Sequence, residues 1–168
     1  MSSSSIITET TQYLTFKLED EIFALGISQV REVLDFTTVT KIPDMPEFML
    51  GVINLRGSVV PVVDMRVKFG LPKAETMLNT CIIIVEIELE GEMIMLGALA
   101  DSVQEVLDMD PDQVEPPPRI GTRLKSRFIR GMGKRDNQFV IILDVNKVFS
   151  PDELAMTQDA GNELAAAS

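Results

Sequence analysis

The sequence predicts a mainly β protein built from two similar small barrels, each closed or nearly so. Three observations carry that expectation. Apolar runs such as CIIIVEIEL (81–89) and SVVPVVD (58–64) are rich in valine and isoleucine, which suit a pleated surface. Aromatic content is only 5%, with no tryptophan, so the core must rest on Val, Ile, Leu and Met. Three segments also recur in the same order in the two halves. VVPVVDMRVKF (59–69) falls on FVIILDVNKVF (139–149), with Gly51 on Gly131 at the same offset. SQVREVLD (28–35) falls on DSVQEVLD (101–108), and LEDEIFALG (18–26) on LEGEMIMLG (89–97).

The elements follow in order. Residues 1–11 read as a polar tail. A hairpin opens each half: YLTFKL, a turn at Glu19-Asp20-Glu21 and IFALG, then CIIIVEIEL, a turn at Glu90-Gly91-Glu92 and MIMLGAL. A short amphipathic turn or helix comes next. Ile27, Val30, Val33 and Leu34 share a face at helical spacing with Ser28 as a cap, and Ser102-x-x-Glu105 reads as a capping box. Proline-bearing connections follow, IPDMP in one half and EPPP (115–118) in the other. A last pair of strands closes each half, giving subdomains of about 12–76 and 77–150 within one unit. Pro61 has no ladder donor and belongs at an edge or a bulge. Asp64 and Asp144 read as N-caps of the turns ending at Phe69 and Phe149. Ser150-Pro151-Asp152-Glu153 starts a C-terminal helix over about 151–160, followed by a fraying tail to 168.

Composition narrows the function. A net charge of −11 repels nucleic acid and anionic lipid. Arg119, Arg123, Lys125, Arg127, Arg130, Lys134 and Arg135 form a basic stretch without acids, read first as a solvated loop and second as a patch for an acidic protein. The chain has no histidine, which removes the commonest general base and metal ligand. No phosphate-binding glycine motif occurs, and no pair of acids is marked for catalysis. The expectation is therefore a protein that is not an enzyme and takes no cofactor and no metal. The single Cys81, ahead of an apolar run, reads as a buried small hydrophobe in a reducing cytoplasm. Neither a signal peptide nor a bilayer-spanning run is expected.

The stretch INLRGSVVPVVDMR (53–66) poses the functional question. Gly57 suits a tight turn, which leaves Arg56 exposed between apolar strands as either a solvated charge or a contact point. The wider segment GVINLRGSVVPVVDMRVKFG resembles the signature of the CheW chemotaxis coupling proteins. YLTFKLEDEIFALGISQVREVLDF, TKIPDMPEFMLGVINLRG, ADSVQEVLDM and IRGMGKRDNQFVIILDVNKVF fall in the order of that family, over about residues 12–160. The resemblance implies two SH3-like five-stranded barrels packed together. It implies a cytoplasmic adaptor, monomeric outside arrays, that bridges methyl-accepting chemoreceptors and the regulatory domain of the CheA histidine kinase at the inner membrane. The alternative is an array-building module that binds mainly kinase regulatory domains or itself.

Site residues follow from the same resemblance. Arg56 matches a receptor-binding position. Glu32, on the polar side of the first short turn or helix, is a further receptor-side candidate whose other reading is a solvated face charge, and Cys81, Ile82 and Val106 form a second receptor-side strip whose other reading is interbarrel core. Val30, Val33 and Gly51 match kinase-facing positions, whose other reading is core for the valines and a turn for the glycine.

Overall fold

The computed structural model of the protein describes residues 10–73, 75–116, 128–135 and 137–156. The first half forms β1 (Thr11–Leu18), β2 (Glu21–Gly26), β3 (Val30–Asp35), β4 (Met49–Leu55) and β5 (Ser58–Asp64), then a single-turn helix α1 (Met65–Lys68). The second half forms β6 (Cys81–Leu89), β7 (Glu92–Ala100), β8 (Ser102–Met109), β9 (Val114–Glu115), β10 (Ile129–Arg135) and β11 (Gln138–Leu143), then α2 (Val145–Val148). A helix over 151–156, here α3, follows. Four of the seven basic residues between 119 and 135, Pro117 and Pro118, and most of the expected tails lie outside the described residues.

The strands make two sheets, in the orders β8-β1-β2-β11-β10-β9 and β3-β6-β7-β5-β4. These are the two SH3-like barrels, and the mainly β expectation holds. The expected limits 12–76 and 77–150 follow the sequence repeat, but the sheets do not. Each half lends its opening hairpin to the other: β1-β2 completes the sheet of β8 to β11, and β6-β7 completes that of β3 to β5. The exchange is symmetric, with β2 parallel to β11 and β7 parallel to β5.

Alternation along the strands divides the apolar side chains among three cores. Tyr13, Ala24, Leu107, Met109, Val140 and Ile142 fill the first barrel. Ile53, Val60, Val62, Ile82 and Ile84 fill the second. The opposite faces of the exchanged hairpins, including Phe16, Leu18, Phe23, Ile83, Val85 and Ile87, meet in the largest core between the barrels. Within it Phe48 packs on Phe149 and Phe69 on Phe128, with ring centroids 5.7 and 6.0 Å apart.

The repeat is also visible in detail. The Asp64 side chain accepts a hydrogen bond from Arg66 N at 3.0 Å, and Asp144 from Asn146 N at 3.2 Å, so both cap as expected. Ser150 and Glu153 form the expected capping box of α3. Pro61 lies next to a register shift in β4–β5, just before β5 begins pairing with β7, where a missing N–H costs nothing.

One element differs from expectation. The segments 30–35 and 102–109 are strands, and only Ile27–Gln29 is helical, as one 3-10 turn without a Ser28 cap. Bulges explain the misleading spacing. A register shift between Val30 and Glu32 puts Val30 and Val33 on the interbarrel side, opposite Val85 and Ile83. Another between Val103 and Val106 does the same against Phe16 and Leu14, and Thr15 Oγ1 serves both backbone groups of Glu105 there. A bulged strand thus imitates the three-residue period of a helix.

Candidate functional site

β4 and β5 pair from Met49↔Val63 to Leu55↔Ser58, leaving Arg56 and Gly57 as a two-residue hairpin loop. Their φ values, 49° and 90°, are those of a turn whose twist matches the flanking strands. Asn or Gly usually fills the first place, and Arg56 holds it at a conformational cost. The Asn54 side chain accepts a hydrogen bond from Gly57 N at 2.8 Å and pins the loop. Arg56 is thereby presented at the rim of a groove of about 580 Å³, whose lining also includes Arg31, Glu32, Leu55, Glu86 and Met95.

Two ion pairs cross this groove. Arg56 forks onto both carboxylate oxygens of Glu32 on β3, and Arg31 Nη1 lies 3.1 Å from Glu86 Oε1 on β6. The hydrogen bond from Arg56 is the main reason the Glu32 carboxyl titrates below its ordinary range, and Arg31 adds a smaller attraction. The Arg56 guanidinium is held above its ordinary value by the same bond. Its first reading as an exposed turn arginine thus meets a local partner, Glu32.

The other expected residues separate. Val33 is 41% exposed on β3, at the rim of the interbarrel core, while Val30 is half-buried against that core. Gly51 is buried, and its φ of 152° lies where side chains rarely go. A Cβ there would stand 2.2 Å from the Thr40 carbonyl oxygen, so only glycine permits the Thr40–Val52 bridge. Gly51 lies toward one end of β4 and Arg56 just past the other, about 17 Å apart at the usual strand rise. Val106 is 49% exposed on the edge strand β8 of the other barrel.

Cys81 and Ile82 are corrections. Cys81 is buried in the interbarrel core and Ile82 is wholly buried inside the second barrel, so neither side chain offers a partner any surface. Burial pushes the Cys81 thiol above its ordinary value, as expected of a packed hydrophobe. The expected receptor strip is therefore not one patch.

Sequence reasoning missed Arg31, Glu86 and Met95. Glu86, the first of the alternating acids Glu86, Glu88 and Glu90 that follow the apolar run from Cys81 to Val85, was the available signal. Of the basic stretch, Lys134 pairs with Glu115 at 2.7 Å and Arg135 with Glu105 at 3.6 Å. Among the described residues, no cluster of acids and cysteine is placed to hold a metal ion. None of the described helices is long and apolar enough to cross a membrane.

Fold and site define a duplicated double-β-barrel module with an arginine-bearing groove. The family model for the CheW-like domain matches residues 12–153. The chain is 31% identical to chemotaxis protein CheW of Klebsiella aerogenes over 148 residues, 88% of this chain and 87% of that protein. Identity to chemotaxis protein CheW of Treponema pallidum is 28% over 146 residues, 87% of this chain and 86% of that one. The crystal structure of the scaffolding protein TtCheW from Thermoanaerobacter tengcongensis superposes with a TM-score of 0.76 at 36% identity, covering 85% of this chain and 94% of that chain. The chain belongs to the CheW-like domain family.

Proposed function

We propose that the protein is an adaptor that couples chemoreceptors to the CheA histidine kinase in cytoplasmic signalling arrays, without catalysis of its own. The observation that carries this reading is the family match across residues 12–153, which includes the whole Asn-Leu-Arg-Gly hairpin. Arg56, with Glu32 holding its guanidinium, contacts the receptor tip. Val30, Val33 and Gly51 face the kinase, the exposed edge of Val33 making contact and Gly51 shaping the backbone around Thr40.

The geometry supports the reading in two ways. The two sets of residues lie at opposite ends of β4 and on opposite faces of β3, as a bridge between two partners requires. An exposed Arg–Glu pair is held weakly, so a partner carboxylate can share the guanidinium, which has five donors. Contacts this small fit modest affinities that an array raises by effective concentration. Kinase output then changes only if the coupler binds two kinase states differently.

Arg56→Ala tests the assignment. Weakened binding to a receptor cytoplasmic hairpin, with kinase binding retained, is expected. Equal receptor affinity in mutant and wild type would remove Arg56 from the site.

A further inference from the structure

The groove beside Arg56 holds a second arginine that the function above does not use. Arg31 and Glu86 lie on β3 and β6, and Arg31 is close enough to add to the field at Glu32. The four charges therefore run Arg56, Glu32, Arg31, Glu86 in alternation. In each pair the arginine is the outer member. Side-chain exposure is 71% for Arg56 against 29% for Glu32, and 59% for Arg31 against 23% for Glu86. A surface approaching the groove meets two guanidiniums before it meets either carboxylate. Leu55 and Met95 line the same groove.

The duplicated barrel supplies an internal control. Its corresponding groove is lined by Thr15, Gln104, Glu105, Leu107, Arg135 and Gln138, among others. Glu105 takes the place of Glu32 in the repeat and pairs with Arg135, from the matching hairpin, as Glu32 does with Arg56. Gln104 and Thr15 stand at the places of Arg31 and Glu86. The same edge strand thus pairs with the same hairpin without the second ion pair, so the fold does not require it. An exposed pair of this kind adds little to stability.

We propose that Arg31, positioned by Glu86, is a second anchor of the receptor groove. The groove then takes an acidic partner segment that presents two carboxylates, one to each arginine, with an apolar side chain between them against Leu55 and Met95. This rests on the proposed receptor role of the groove and narrows the partner it accepts. Each guanidinium keeps its own carboxylate and donates its outward N–H groups to the incoming one, so recognition breaks neither pair.

The test is a titration of the full chain and of Arg31→Gln, Arg31→Lys, Glu86→Gln and Arg56→Ala against a multivalent receptor hairpin fragment, with CheA regulatory domain titrated in parallel and melting recorded for each. Arg31→Gln is expected to weaken receptor binding about fivefold, leaving kinase affinity and melting unchanged. Arg31→Lys, which keeps charge but not the fork, should lose less. Glu86→Gln should loosen Arg31 and fall between them. Unchanged receptor affinity in Arg31→Gln, with Arg56→Ala weakened, overturns this inference and leaves the coupling function standing. Unchanged affinity in both overturns the receptor groove itself. A parallel loss of both partners, or a fall in melting temperature of several degrees, assigns the second pair to the fold and also overturns the inference.

Discussion

Replacing Gly51 with alanine is expected to destabilise the protein by about 3–5 kcal/mol. Two effects combine. The backbone at φ 152° is essentially reserved for glycine, and holding a side chain there costs about 1–3 kcal/mol. The new Cβ would also lie 2.2 Å from Thr40 O and 2.8 Å from Thr40 C. Those are backbone atoms, so the segment through Thr40 must move. Its two hydrogen bonds with Val52, each 2.8 Å, are then given up at about 1 kcal/mol apiece. For a chain of this size the melting midpoint should fall by about 10–15 °C. Gly131→Ala is the control at the equivalent place in the other half. Its φ is not positive, and its Cβ would meet mainly the Val114 side chain at 2.6 Å, so about 1–2 kcal/mol is expected. Urea unfolding followed by circular dichroism measures both. A Gly51→Ala loss under about 1 kcal/mol, or an equal loss in the two mutants, would refute this reasoning.

Other expectations concern charge and caps. Arg56→Asn suits the positive φ better than arginine, so its melting temperature should hold or rise slightly while receptor binding weakens; calorimetry and titration together check this. Lys68 is largely covered by Phe48, Phe128 and Phe149, 5.0, 5.6 and 5.3 Å from their centroids, and donates to Glu153 of α3. Lys68→Ala should destabilise by about 2–3 kcal/mol and speed amide exchange in residues 151–156 first. Burial alone would raise the Glu153 carboxyl, but hydrogen bonds from Lys68 and Ser150 bring it below its ordinary value; Asp101, held by Arg66 and Glu19 N, behaves alike. Both depressed carboxyls lend stability above the ordinary carboxylate range and lose it as pH falls through their folded values, so melting temperature should drop below about pH 4.5 and Lys68→Ala should flatten that drop. Asp64→Ala and Asp144→Ala should each cost about 1 kcal/mol of cap energy, additively in the double mutant by denaturant unfolding.

Local rules fixed by chemistry were legible from sequence. Both aspartate caps, the Ser150–Glu153 box, the turn at Arg56-Gly57 and the place of Pro61 depend on a few neighbouring residues and were readable. The hairpin exchange was not, because the repeat reports which segments are alike and not which copy each hairpin joins. The strands at 30–35 and 102–109 passed for helix because a bulge brings residues three apart to one face. Within the groove, Arg56 and Glu32 stood out through the family motif. Arg31 and Glu86 did not, since their meeting depends on β3 lying beside β6, a pairing between halves. Cys81 and Ile82 sat in a stretch of alternating strand whose two faces are both buried, one in each core, and such a strand gives no sign of which side is surface.

The measurement that tests coupling most directly is sequential titration of the purified protein with CheA regulatory domain, then of that complex with ordered receptor hairpin fragment. Simultaneous binding without competition is expected, because the assigned residues lie at opposite ends of β4 and on opposite faces of β3. Displacement of one partner by the other, or binding to the kinase domain alone with the receptor fragment shown to be competent, would contradict the bridging account.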